Sequence, residues 1–147
     1  MSVSPSLEKF SNVLREHGYK ATPARLLLLD ILKKADHPLT TQEMLKKLGG
    51  KVDQATVYRT LESLLTVAVL RQVDMQHGHA HYELRSETEH HHHLICKSCG
   101  LTEDVAECHV ALIEQAVLKG SSKFAGTLDH SLEFFGRCKK CARQIKV

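Results

Sequence analysis

The sequence predicts an α+β protein in two parts: an N-terminal winged helix-turn-helix domain, then a small α/β dimerisation domain with a four-cysteine zinc site. Three observations carry this. Four helix-forming segments precede two short strand-like ones within residues 1–84. The stretch Arg85-Ser86-Glu87-Thr88-Glu89 contains no apolar residue and reads as a hinge over 85–90. Residues 91–147 then carry two C-x-x-C knuckles, Cys96-Lys97-Ser98-Cys99-Gly100 and Cys138-Lys139-Lys140-Cys141, the first preceded by the histidines His90 to His93.

The first helix follows from apolar Leu7, Phe10, Val13 and Leu14 at helical spacing, stopped by Gly18. Thr22 as N-cap and Pro23 at the first helical position start a second over Ala24 to Ala35, whose Leu-rich face is core. Thr40 or Thr41 caps a short third helix through Leu48, ended by Gly49-Gly50. Asp53 caps the fourth, Gln54 to about Thr66, with Val57, Leu61, Leu64 and Leu65 on one face. Its other face shows Gln54, Ala55, Tyr58, Arg59, Glu62 and Ser63. That mixture of small, hydrogen-bonding and cationic groups suits a helix that enters a major groove and touches base edges and phosphates.

Val69 to Val73 and His81 to Leu84 read as strands around a His77-Gly78-His79 turn, completing the winged-helix pattern. Beyond the hinge, His93 to Cys96, Thr102 to Ala106 and Ser131 to Phe135 read as strands and Val110 to Lys119 as a helix. A unit of about sixty residues buries too little surface for comfortable independent stability, so metal and a dimer interface are expected to supply the deficit.

Composition narrows the partners. The 147 residues are 42% hydrophobic with a net charge of +3, so any DNA binding comes from shape and a few placed cations rather than bulk charge. The longest aliphatic run, Leu26 to Leu29 with Ile31 and Leu32, is interrupted by Asp30 and too short for a bilayer, and Met1 to Pro5 lacks a signal pattern. A cytoplasmic protein without membrane contact is expected. In a reducing compartment, four of five cysteines in x-x spacing favour zinc or a redox dithiol over disulfides, and four thiolates suffice to close a tetrahedral structural zinc site. Cys108 reads as a small buried hydrophobe. The sequence holds no H-E-x-x-H, G-x-S-x-G or phosphate-binding glycine loop, so no enzyme is expected.

Thr22-Pro23-Ala24-Arg25, Ala55-Thr56-Val57-Tyr58-Arg59, Tyr82-Glu83-Leu84, the run from His90 through Cys99-Gly100, and His130 through Cys138 together resemble the ferric uptake regulator family, collinearly over essentially the whole chain. The resemblance implies a homodimeric, metal-dependent transcription factor on a palindromic double-stranded operator. Its regulatory site carries over to His37, Glu83, His91, His93 and Asp104. Such a set spans the hinge, so a bound ion would tie domain orientation to metal occupancy. A further site of some members corresponds to His90, His92, Glu114 and His130, with Glu107 competing for the carboxylate position. The histidines His77, His79 and His81 of the wing are either additional ligands or a solvated turn.

Tyr58 and Arg59 match the family's base-edge and backbone contacts, Thr56 a thymine-methyl or phosphate contact, and Lys20 and Arg25 phosphate or minor-groove contacts. Hard oxygens from Glu83 and Asp104 suit Fe2+ or Mn2+, whereas the surrounding imidazoles suit Zn2+. Peroxide-responsive members place aspartate where Glu83 stands. The implied function is repression of metal-uptake, metal-homeostasis or oxidative-stress genes by the metal-loaded dimer. The alternatives are a zinc-scaffolded interaction module or a constitutive DNA binder. One departure stands out: many members have glycine after the recognition helix where this chain has Val67-Ala68-Val69. Alanine at positive φ is costly, so a different turn is expected there.

Overall fold

The structure, a computed structural model, describes residues 5–85, 91–106, 109–127 and 130–144. The chain divides into two compact units, Met1–Arg85 and Ser86–Val147.

The first unit runs α1 (Pro5–Glu16), α2 (Pro23–Lys34), β1 (Leu39–Thr40), α3 (Thr41–Leu48), α4 (Gln54–Thr66), β2 (Leu70–Asp74) and β3 (Ala80–Leu84). Local chemistry sets the helix starts. Thr22 accepts from the Arg25 amide ahead of Pro23. At α3 a full capping box forms, in which the Glu43 amide donates to Thr40 Oγ1 (3.2 Å) and the Thr40 amide donates to Glu43 Oε2 (2.7 Å). Asp53 accepts from both the amide and the hydroxyl of Thr56, at 2.9 and 2.6 Å. Those bonds, the hydroxyl's first, hold the Asp53 carboxyl below the usual range.

The core is one cluster in which Leu14, Leu28, Leu29, Leu39, Met44, Val57 and Leu64 are essentially inaccessible. Each such side chain contributes about 1.5–3 kcal/mol when fully buried. Along α4 the positions Val57, Leu61 and Leu64 are buried, as is Thr60, and the exposed face carries Gln54, Ala55, Tyr58, Arg59 and Glu62. The sheet order is β1-β3-β2, antiparallel throughout, with His81 between Thr40 and Val73 and Glu83 opposite Arg71. The two-residue β1 has no sequence signature, because period-two alternation needs more residues than it has. It is nonetheless what makes the wing three-stranded.

After α4 the structure overturns the expected turn. Ala68 adopts φ 55°, and the Ala68 and Val69 amides donate to Leu65 O (3.0 Å) and Leu64 O (2.9 Å), the paired bonds of a Schellman cap. The orphan carbonyls of the helix end and the burial of Val67 and Val69 impose the conformation that alanine resists.

The second unit runs β4 (His92–Cys96), β5 (Thr102–Val105), α5 (Val110–Lys119), β6 (Glu133–Gly136) and α6 (Lys139–Arg143). Its sheet has the order β5-β4-β6, with β4 antiparallel to β5 and parallel to β6. The fold is thus α+β, a winged helix-turn-helix followed by a small α/β domain. Among the described residues of the second unit the buried hydrophobics are Ile95, Cys96 and Val110, while Leu94, Leu101, Leu112, Ile113, Val117, Phe124 and Phe134 are exposed.

A left-handed alanine costs about 1–2 kcal/mol, of which glycine's extra freedom in the unfolded chain offsets about 0.5–1 kcal/mol. Ala68→Gly is therefore expected to stabilise the first unit by about 0.5–1 kcal/mol, read as a higher urea midpoint at unchanged m-value.

Candidate metal centre and nucleic-acid interface

Parallel pairing of β4 with β6 aligns Cys96 with Gly136 and so brings the second knuckle, two residues further on, to the first. The Sγ atoms of Cys96, Cys99, Cys138 and Cys141 all lie within 4.8 Å of one another. Four sulfurs at about 2.3 Å from a tetrahedral zinc are about 3.8 Å apart. The Cys99 and Cys138 sulfurs are 3.8 Å apart, so the residues fit the ion.

The backbone prepares these thiolates. Gly100 at φ 76° closes the first knuckle, with its amide on Cys96 O (2.9 Å), and Cys138 serves as N-cap of α6, its sulfur accepting from the Cys141 amide at 3.4 Å. The Cys138 amide donates to Cys96 Sγ (3.3 Å), and hydrogen bonds from the amides of Cys138 and then Cys99 pull the Cys96 thiol down to about 6. Cys138 is lowered by the Cys141 amide, whereas Cys141, sharing its proton with Cys138 and then Cys99, is pushed up to about 12. Two sulfurs inclined to ionise beside one that is not is what four crowded thiols give before a cation neutralises them. Zinc would displace the remaining protons.

Further along β4, His93 is 1% exposed, its ring edge-on to His91 at 5.1 Å, and its Nε2 lies 3.6 Å from Asp104 Oδ1 on the paired strand β5. His91, His93 and Asp104 are thus neighbours. The other two members of the expected regulatory set belong to the first unit. There His37 Nδ1 is 2.6 Å from Asp36 and its Nε2 3.6 Å from Glu43 Oε1, while Glu83 forms an ion pair with Arg71 across the wing. Burial pushes the Glu43 carboxyl up, but hydrogen bonds from Thr40 and then His37 outweigh it and hold the group below its ordinary range.

The second set gathers on the opposite side of β4. The His92 ring lies 5.6 Å from that of His130, whose Nδ1 is 3.5 Å from Glu114 Oε1 on α5, and His92 Nδ1 is 3.1 Å from the Leu132 carbonyl. Glu114 therefore stands beside these histidines; His90, Glu107 and Cys108 lie outside the described residues.

On the first unit, Tyr58 is 48% exposed, Arg59 is exposed and Thr56 half-buried behind the Asp53 cap. Lys20 is exposed. Arg25 is half-buried: its Nη1 donates to Lys20 O (2.6 Å), its Nη2 to Ser63 Oγ (3.3 Å), and its guanidinium lies 5.2 Å over the Tyr19 ring. It therefore ties α2 to α4, a fastening that no local sequence pattern announces. In the wing, burial pushes the His81 imidazole down. Among the described residues, no helix is long and apolar enough to cross a membrane.

A winged helix-turn-helix joined to a thiolate-closed α/β unit that gathers histidines and carboxylates is the architecture of a metal-responsive regulator. Residues 16–135 match the model of the ferric uptake regulator family, and the chain belongs to that family. It is 31% identical over 142 residues to the ferric uptake regulation protein of Synechococcus elongatus, covering 90% of this chain and 92% of that one. Among solved structures, the Francisella tularensis ferric uptake regulator with iron is similar at TM-score 0.69 and 29% identity, covering 85% of this chain and 96% of the other. The Helicobacter pylori regulator shares the fold at TM-score 0.77 and 21% identity, covering 99% and 97%. Membership makes this a regulator acting in metal-dependent transcription and not an enzyme.

Cys99→Ser removes one thiolate at an exposed position. The wild-type chain is expected to retain zinc through mild chelation, and the variant to lose it together with the cooperative unfolding of the second unit. Metal analysis after dialysis and amide hydrogen exchange of β4 and β6 check this.

Proposed function

We propose that the protein is a cytoplasmic homodimeric repressor that binds a palindromic operator when a divalent ion occupies its hinge site. The observation that carries the reading is the solvent-facing side of α4, where Tyr58 and Arg59 stand exposed on a helix whose opposite side is anchored in the core. A tyrosine held outward next to a cation is poised for base-edge and phosphate contact, with Thr56 and Lys20 as flanking contacts and Arg25 fixing the helix pair beneath.

Dimerisation is supported by the apolar surface of the second unit. On α5, Leu112 is 68% and Val117 61% exposed, and on the sheet the paired residues Leu94 and Phe134 are both exposed. A unit with so few buried hydrophobics and so many outside gains most by burying them against a second copy. Residues 1–84 are then the DNA-binding domain, 85–90 the hinge and 91–147 the dimerisation domain.

The regulatory ion would be held by His91, His93 and Asp104, with Glu83 and His37 from the DNA-binding domain; their mixed nitrogen and oxygen donors suit Fe2+, Zn2+ or Mn2+. His92, Glu114 and His130, with His90, make a further site for a second exchangeable ion. A metal bound across a hinge selects one arrangement of the domains, and its loss leaves that arrangement a minor state. The genes under control would be those of metal uptake, metal homeostasis or oxidative stress.

Selection from a random duplex library by protein loaded with Fe2+, Mn2+ or Zn2+ in turn is expected to recover an inverted repeat. On that sequence, fluorescence anisotropy is expected to show at least about a tenfold loss of affinity on chelation of the exchangeable ion. Tyr58→Ala or Arg59→Ala should weaken binding with metal present, and His93→Ala should abolish the metal response. Affinity indifferent to chelation and to His93→Ala would mean a constitutive DNA binder, and no selected sequence at all would leave an interaction module scaffolded by zinc.

A further inference from the structure

The wing carries a histidine group that the reading above does not use. His77 and His79 lie in the turn between β2 and β3 and His81 follows on β3, all in the first unit. His81 is 8% exposed, and its Nδ1 lies 3.0 Å from the His79 carbonyl. A carbonyl only accepts, so Nδ1 carries the hydrogen and Nε2 keeps its lone pair, the tautomer in which a ring fixed through one nitrogen binds a metal through the other.

The His77 ring stands edge-on to it, at 6.3 Å between centroids and 72° between planes. With metal–nitrogen bonds of about 2.0–2.1 Å, two imidazoles on one tetrahedral ion have centroids about 5.2 Å apart. The observed pair is therefore about 1 Å too open. His77 is an exposed residue of the turn, between Gln76 at φ 55° and Gly78 at φ 75°, so a small movement of its ring disturbs no core contact. An anion is at hand on the element packed against the ring. His81 pairs with Thr40, and the Thr40 amide and hydroxyl are both bonded to Glu43, whose charge acts on His81.

We propose that the wing binds a divalent late transition-metal ion of the nitrogen-preferring class, nickel, copper or zinc, through His77 and His81, with water available for the remaining positions. Its two anchoring ligands sit on one hairpin, so this site closes without any particular arrangement of the two units. Its effect is to cross-link the turn.

The test uses the full chain with zinc in the four cysteines and His93→Ala in the background, titrated with Ni2+ by calorimetry and followed by amide hydrogen exchange across residues 75–79. The expected result is a Ni2+ equivalent that His77→Gln removes or weakens at least about tenfold, with turn exchange slowed by Ni2+ only while His77 is present. Because His77 is exposed, its loss leaves the fold intact; His81→Gln then serves as the second ligand deletion, accepted only where the urea midpoint is unchanged. Equal stoichiometry, affinity and exchange with and without His77 overturn the proposal.

Discussion

Four cysteine sulfurs converging between β4 and α6 supplement a core that, among the described residues of the second unit, is small. Ile95, Cys96 and Val110 are its buried hydrophobics among the described residues, far fewer than the tight cluster of the first unit. What brings residues 96 and 141 together is instead a cluster of four sulfurs, whose geometry already matches a tetrahedral ion. The same strand that supplies Cys96 supplies His92 and His93, on alternate faces. Anything that loosens the sulfur cluster therefore loosens both histidine groups.

The first unit solves the opposite problem. Its core is ample, and the difficulty is presenting one helix outward without letting it slide. Three fastenings hold α4: the Asp53 cap at its start, the Arg25 bond to Ser63 along its length, and the Schellman bonds at Ala68. Each acts on backbone or on residues beside the solvent-facing side of α4, so that Tyr58 and Arg59 remain uncommitted to the core.

Most helix starts were legible because Thr22, Thr40 and Asp53 cap by local side-chain chemistry that a linear sequence displays. The cysteine set was legible for a similar reason, since knuckle spacing is itself the geometry of the site. Four features were not. The strand β1 and the helix α6 are too short to carry a period. Ala68 shows that helix-end hydrogen bonds and flanking valines outweigh a single residue's backbone preference. Phe134, Leu94 and Leu112 look like core in a sequence, because periodicity marks which residues share a face and not whether that face meets the chain's own interior.

The parallel pairing of β4 with β6 has a consequence in time. Every strand of the first unit pairs with a partner already synthesised by residue 84, whereas β4, once paired with β5, must wait for residues 133–136 for its second neighbour and for Cys141 to complete the four sulfurs. On a ribosome adding residues from the N-terminus, the winged helix is complete while the second unit is still at most the β4–β5 pair with two of its four sulfurs. A chain cut short before the last knuckle would thus carry the winged helix but only two of the four sulfurs. Assembly order alone separates the part that presents α4 from the part that gathers the four sulfurs.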